Sequence, residues 1–243
     1  MTVPVTATPG IIRSVVVTGV ARPGQLGDVI ARAFGATGAR VSIVARSSTD
    51  ASARAAEMQQ SGYDAHAFAC DLADPVATAR LAQDVLASAA RVDVVVAAAG
   101  GFAMSGPVAA SEPSAWLHQL TINLETAYAT TRAFLPALRE ARGAIVFVAS
   151  ATALPAARVR DASAYAVAKG GVITLMRAVA QEERGNGVRA NAVAPGTIRT
   201  RENAAAMPAG TRFVEPESIV STILFLCAPA SAQVTGQVIE LTP

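Results

Sequence analysis

The feature that most restricts this chain is a set of short apolar runs with no polar face. Val15-Val16-Val17, Val94-Val95-Val96 and Ile145-Val146-Phe147-Val148 are of this kind. A strand wetted on one side alternates apolar and polar residues, whereas an unbroken run suits a parallel sheet covered on both faces. Strands are expected at Ser14 to Val17, Arg40 to Val44, Ala65 to Ala69, Val92 to Val96, Ala144 to Val148, Val188 to Val193 and Gln237 to Leu241. Helical patterns fall between them, at Asp28 to Gly35, 50 to 61, 75 to 89, Ser114 to Ala141, Ser163 to Glu183 and Pro216 to Cys227. This alternation predicts an α/β fold with a doubly wound parallel sheet and right-handed crossovers, about seven strands in all.

The 243 residues are 52% hydrophobic and 16% charged, against a usual charged share of about 25%. So apolar a chain buries a large core and expects a second buried surface between subunits. Residues 1–243 read as a single domain, with 1–12, which hold Pro4, Pro9 and Gly10, as a loose leader. Net charge is +2 with no block of like charges, which argues against nucleic acid as a partner. The N-terminus lacks the pattern of a signal peptide, and no apolar run reaches the ~20 residues that span a bilayer. Cys70 and Cys227 have no metal-like spacing, so buried free thiols in a soluble cytoplasmic protein are expected. His66 and His118 are isolated, and no metal site is expected.

The first strand runs into Thr18-Gly19-Val20-Ala21-Arg22-Pro23-Gly24-Gln25-Leu26-Gly27 and then a helix. A strand, a glycine turn and a helix start together form a phosphate cradle, as in dinucleotide-binding (Rossmann) folds. At the end of the second strand, where an acidic residue would hold the ribose 2′-hydroxyl of NAD, stand Ala45 and Arg46. Arg46, helped by Arg22, suits the 2′-phosphate of NADP. Cys70-Asp71-Leu72 and Ala97-Ala98-Ala99-Gly100-Gly101 follow the third and fourth strands, at the carboxyl edge where ligands bind in open α/β sheets.

Lys169 is the only lysine of the chain, and Tyr165, one of three tyrosines, precedes it by four residues. On a helix the two share a face, so an ammonium lies beside a phenol and favours its ionised form. Such a pair suits general acid–base chemistry near neutral pH. Ser163 is the expected N-cap of that helix, and Arg184-Gly185-Asn186-Gly187 its stop. In the long pattern from Ser114 to Ala141, Asn123 falls on the apolar face with Trp116, Leu120, Leu124 and Phe134, where it must find partners. Pro136 is expected to interrupt that helix near its end. Ser150 closes the fifth strand, where a hydroxyl could orient a substrate oxygen or cap a turn.

Taken together, the glycine loop ending at Gly27, Cys70-Asp71-Leu72, Ala99-Gly100, Asn123, Ser150, Tyr165 with Lys169, and Asn191-Ala192-Val193-Ala194-Pro195-Gly196 resemble the short-chain dehydrogenase/reductase family, from Ser14 to Leu241. The resemblance implies an NADPH-dependent reductase of a ketone or β-keto carbonyl, or secondary-alcohol oxidation in reverse. It implies that Tyr165 protonates the carbonyl oxygen, that Lys169 holds the nicotinamide ribose and lowers the phenol's pKa, that Ser150 binds the substrate oxygen, and that Asn123 orders a relay water. Gly19, Gly24, Gly27, Ala98, Gly100, Asp71 and Leu72 would border the cofactor, and Pro195, Gly196, Ile198 and Thr200 its nicotinamide. It also implies a homo-oligomer, dimer or tetramer, built through the helices of Trp116 and Tyr165.

Four departures from the family pattern carry expectations. Gly27 lies eight residues after Gly19 rather than about six, a spacing similar to divergent enoyl reductases, whose tyrosine however stands about seven residues before the lysine. The turn Ala97-Ala98-Ala99-Gly100 lacks the asparagines whose side chains would stiffen it. Ser150 lies 15 residues before Tyr165, which suggests a small insertion around Arg158-Val159-Arg160 and leaves Thr152 as the fallback. The chain closes on Glu240-Leu241-Thr242-Pro243 where relatives have Asp-Gly-Gly. The alternatives to a ketoreductase are a catalytically silent NADP-binding or scaffold protein and an enoyl reductase.

Overall fold

The computed structural model describes residues 12–157 and 159–243. The expected leader therefore lies outside the described residues apart from Ile12, as does Arg158 of the expected insertion.

Seven strands form one parallel sheet in the order β3-β2-β1-β4-β5-β6-β7. They are β1 (Ser14–Thr18), β2 (Arg40–Ala45), β3 (Ala65–Ala69), β4 (Val94–Ala97), β5 (Ala144–Val148), β6 (Arg189–Pro195) and β7 (Val238–Leu241). The reason for the unbroken apolar runs is visible in their alternation. Val15, Val17, Ile43, Val94, Val96 and Val146 point to one face of the sheet. There they meet α1 (Leu26–Ala36), α2 (Ser48–Gln60) and α8 (Pro216–Cys227). Val16, Val95, Ile145 and Phe147 point to the other, against α3 (Pro75–Ala89), α5 (Thr126–Ala141) and α6 (Ser163–Glu182). The central strands β1, β4 and β5 thus carry apolar residues on both faces, whereas the edge strands β3 and β7 hold His66 and exposed Glu240.

The order reverses at β1, which pairs with β2 on one side and β4 on the other. The two connections leave β1 and β4 in opposite directions, which opens a crevice at their carboxyl ends. Everything of chemical interest lies along that edge.

Several local expectations give way to tertiary structure. The long helix is split into α4 (Pro113–Leu120) and α5 by a π-helical turn at Thr121–Glu125 that contains Asn123. Pro136 does not stop α5, which runs on to Ala141 and ends at Arg142 in the left-handed conformation. Ser163 is the first residue of α6 rather than its cap: Ala162 takes the cap position without a side-chain bond, and the Ser163 hydroxyl is buried with no partner. A short helix not expected from the sequence, α7 (Arg201–Ala206), follows β6. Both cysteines are free and buried. No helix among the described residues is long and apolar enough to cross a membrane.

The end of α6 is tied to α5 by one ion pair. Arg139 donates to both carboxylate oxygens of buried Glu183, at 2.8 Å from Nε and 2.6 Å from Nη2, and Asn186 Nδ2 adds a third bond at 2.8 Å. The Arg139 hydrogen bonds hold the Glu183 carboxyl below its usual value against the opposing effect of burial. A depressed folded-state pKa contributes stability that is present above the unfolded value and lost as pH falls through the folded one. Urea unfolding is therefore expected to show a loss of stability below the ordinary glutamate value of 4.5 that is smaller in Glu183→Gln. Equal acid slopes for the two proteins would show that the pair does not contribute.

Candidate active site

The glycine loop is folded onto the chain that leaves β4. Gly19 and Val20 both donate their N–H to Val44 O, at 2.9 and 3.1 Å, which draws the turn across the end of β2. Gly19 has φ +80, and a Cβ there would lie 2.8 Å from Ala99 Cα and 2.9 Å from Ala98 O. A Cβ on Gly27 would lie 2.4 Å from Gly19 O. Side chains at either place would therefore push the loop away from the crevice. Gly24, also at positive φ, gives its N–H to buried Asp28 at 2.9 Å, so the extra length of the loop is pinned by the first turn of α1. Gln25, the cap residue of α1, makes no side-chain cap bond, which leaves the N–H groups of the first turn open to an anion. Arg22 and Arg46 are both exposed beside this cradle, Arg46 directly after β2. The loop and helix start are thus built to receive a dinucleotide.

The turn after β4 is stiffer than its sequence implies. Thr18 Oγ1, at the end of β1, accepts from both Ala98 N and Ala99 N at 3.1 Å. Asn123 Oδ1 accepts from Gly101 N at 3.2 Å, and its Nδ2 donates to Gly101 O at 3.0 Å and Gln119 O at 3.1 Å. Side chains from two other elements do the work of the missing asparagines, which corrects the expectation of a loose turn. The same bonds tie the Asn123 side chain to this turn. The π-helical turn is what aims it there. Gly100 completes the fit: at φ +150, its Cβ would fall 2.4 Å from Asn123 Oδ1 and 3.3 Å from Lys169 Nζ.

Tyr165 and Lys169 occupy the first two turns of α6, as expected from their spacing. Lys169 is buried, donates to Val148 O at 2.8 Å and stands over the Tyr165 ring, 5.9 Å from its centroid. Burial pushes the ammonium down to about 8. The phenol moves the other way from the sequence expectation. Burial raises Tyr165 above its usual value, with the nearby Ser150 hydroxyl as the opposing influence. Lys169 lies over the ring and is itself desolvated, so it does not outweigh that burial. Ser150, buried at the end of β5, also meets Thr152 hydroxyl to hydroxyl at 2.9 Å and accepts from Thr152 N at 3.3 Å. The structure thus places Ser150 against the phenol and Thr152 behind Ser150.

Other expected residues sit at the same edge but are partly committed. Leu72 is buried in the core, and Asp71 turns back to accept from Ala73 N at 3.1 Å. Pro195 ends β6, and Gly196 N donates to Leu241 O at 2.9 Å. Ile198 is bridged to Val214, and the Thr200 hydroxyl caps α7 by accepting from Asn203 N at 3.1 Å. From α7, Glu202 Oε1 reaches Gln25 Nε2 of the glycine loop at 3.4 Å.

One neighbour of the phenol was missed in the sequence. Phe102 packs edge-to-face on Tyr165, with ring centroids 5.1 Å apart and planes at 86°. Its signal was an aromatic residue directly after Gly100-Gly101, in a stretch otherwise made of small side chains.

A profile of the family described as Enoyl-(Acyl carrier protein) reductase matches residues 19–241. Over 184 residues the chain is 33% identical to (5R,7aS)-5-hydroxy-7a-methyl-1-oxo-2,3,5,6,7,7a-hexahydro-1H-indene-carboxyl-CoA reductase of Mycobacterium tuberculosis, covering 71% of this chain and 70% of that protein. It is 33% identical over 163 residues to the 3-oxoacyl-[acyl-carrier-protein] reductase of Thermotoga maritima, covering 62% and 65%. Several other curated relatives are matched over about half of their length. A solved short-chain type dehydrogenase/reductase from Mycobacterium ulcerans superposes with a TM-score of 0.86 at 28% identity, covering 95% of this chain and 88% of that one.

The Lys169 environment gives a testable pH dependence. A lysine whose folded pKa lies below its unfolded value penalises folding at pH below that folded value, and the penalty vanishes above the unfolded one. The stability of Lys169→Met relative to the parent is therefore expected to improve as pH falls from 10.5 to about 8 and to level off below. A difference that does not change across that window, measured by urea unfolding, would show that Lys169 is solvated.

Proposed function

The chain belongs to the short-chain dehydrogenase/reductase family, and within it we propose an NADPH-dependent reductase that delivers hydride to a ketone or β-keto carbonyl, with Tyr165 giving the proton. As a family member it is an oxidoreductase of hydroxyl or carbonyl groups that uses a nicotinamide cofactor. The observation that carries the finer reading is the meeting of Ser150, Tyr165 and Lys169 at the carboxyl edge of the sheet, beside the glycine cradle.

The open first turn of α1 and the close-packed Gly19 and Gly27 would hold the pyrophosphate. Arg46 and Arg22 would take the 2′-phosphate, as charged donors to a dianion. A bound NADPH supplies the hydride. Tyr165 does the rest of the chemistry at its phenolic oxygen: a phenol holds its proton at neutral pH, and burial does not loosen it, so the proton is there to pass to the carbonyl oxygen as hydride arrives. Ser150, steadied by Thr152, gives that oxygen a second hydrogen bond. Lys169 brings a buried positive charge under the developing phenolate, where low dielectric makes it effective. Asn123 and Thr18 keep the chain after β4 at the right distance.

The description of the matching profile names enoyl reduction, but the four-residue gap from Tyr165 to Lys169 favours carbonyl chemistry. The intact Ser150–Tyr165–Lys169 grouping likewise speaks against a silent binding protein. Homo-oligomer formation is supported by apolar side chains left exposed on α4, α5 and α6, namely Leu117, Tyr128 and Val167. Buried free Cys70 and Cys227 are consistent with a reducing, cytoplasmic location.

Oxidation of NADPH and NADH with a panel of ketones, β-keto esters and enones tests the reading. Ketone turnover with NADPH preferred is expected, and Tyr165→Phe should lower kcat/KM by roughly 10²- to 10⁴-fold, the usual range for a general acid. Arg46→Ala should shrink the NADPH-over-NADH preference by about 10-fold or more, the worth of one charged hydrogen bond. Enone-only activity would revive the enoyl reductase, and tight NADPH binding without turnover would mark a silent protein.

A further inference from the structure

The loop that leaves β4 is held at two points, and an exposed aromatic ring stands between them. Gly101 is fixed by both polar atoms of the Asn123 amide. Ser105 N and Gly106 N both donate to Asp161 O, at 2.7 and 3.0 Å. Asp161 has φ +58, a conformation that a non-glycine residue keeps only where its surroundings hold it. Phe102 lies one residue past the first clamp and three before the second, so it has little freedom to turn away. Phe102 as a residue is 58% exposed and belongs to neither core cluster. Exposing so much aromatic surface in a fixed place costs solvation and contributes nothing to the core.

The geometry of the pair says what this corner accepts. The Phe102 and Tyr165 planes stand at 86°. A flat ring laid parallel to Phe102 is therefore perpendicular to Tyr165, so one orientation satisfies offset stacking on the first and edge-to-face packing on the second. A puckered saturated ring gains neither. From Ala97 to Ser111 the loop has no charged residue, so this wall holds no partner for a carboxylate or phosphate. Met104, also exposed, continues it with an adaptable apolar side chain.

We propose that Phe102 is a specificity-determining residue that selects ketones whose carbonyl is conjugated to a flat, uncharged aromatic ring. The inference rests on Tyr165 acting as the proton donor to a ketone. The test compares acetophenone with cyclohexyl methyl ketone, its saturated counterpart, using NADPH as reductant. The parent enzyme is expected to favour acetophenone in kcat/KM. Phe102→Leu should reduce that ratio by roughly 3- to 10-fold, the scale of one aromatic pair, mainly through KM for acetophenone. Phe102→Tyr, which keeps the ring, should restore it. Phe102 is exposed, so matching thermal melts are expected for all three proteins. An unchanged ratio in Phe102→Leu, with Tyr165-dependent turnover of both ketones, overturns this inference and leaves the proposed reductase standing. Absence of turnover of either ketone, while β-keto esters are reduced in a Tyr165-dependent way, overturns this inference alone; absence of Tyr165-dependent turnover of every ketone and β-keto ester overturns both.

Discussion

The site depends on how closely the backbone after β1 approaches the backbone after β4. Gly19 leaves no space for a Cβ against Ala98 and Ala99, and Gly27 leaves none against Gly19. These contacts set the floor of the crevice. Thr18, one residue earlier, converts the approach into fixed geometry by accepting from two N–H groups of the facing chain. The turn it fixes leads directly to Gly100, whose bare Cα leaves room for Asn123 and Lys169. From the end of β1 to the Lys169 amine the fit is one continuous series of steric contacts.

Electrostatics is arranged on that frame by burial. The Lys169 ammonium loses solvent and gains a single carbonyl partner, Val148 O, while the phenol of Tyr165 is raised by the same desolvation. The two shifts invert the order found in water, where the lysine value of 10.5 lies just above the tyrosine value of 10.0, and set the two further apart. Low dielectric also strengthens whatever charge the ammonium lends to a phenolate formed beside it. Ser150 alone among the neutral groups acts against burial of the phenol, and Thr152 orients it.

Much of this was legible in the residues. Unbroken apolar runs gave the sheet, because alternation is absent only where both faces are covered. The single lysine four residues after a tyrosine announced their pairing, since helix periodicity alone puts them together. What the sequence hid are the features set by distant partners. Asn123 was expected to need partners, but the π-helical turn that aims it at Gly101 has no local signature. Thr18 reads as an ordinary strand residue until β4 is placed beside it. Ser163 has the composition of an N-cap, yet Ala162 takes that position because the clamp of Asp161 on the neighbouring loop fixes where the helix begins. Pro136 lies within α5, whose apolar face is packed on the sheet, and packing overrides its propensity to break a helix.

The solitary lysine also gives the molecule an unusual chemical exterior. With Lys169 only 5% exposed, every exposed Lys or Arg side chain among the described residues is a guanidinium. Such groups keep their charge to about pH 12 and beyond, so this part of the outer charge does not change across any pH at which the fold survives. Acylating and aldehyde reagents that seek side-chain amines find none outside. The one such amine lies behind Gly100 and against Val148, beside the Tyr165 ring. Labelling at a side-chain amine would, in this molecule, report the opening of that one buried place.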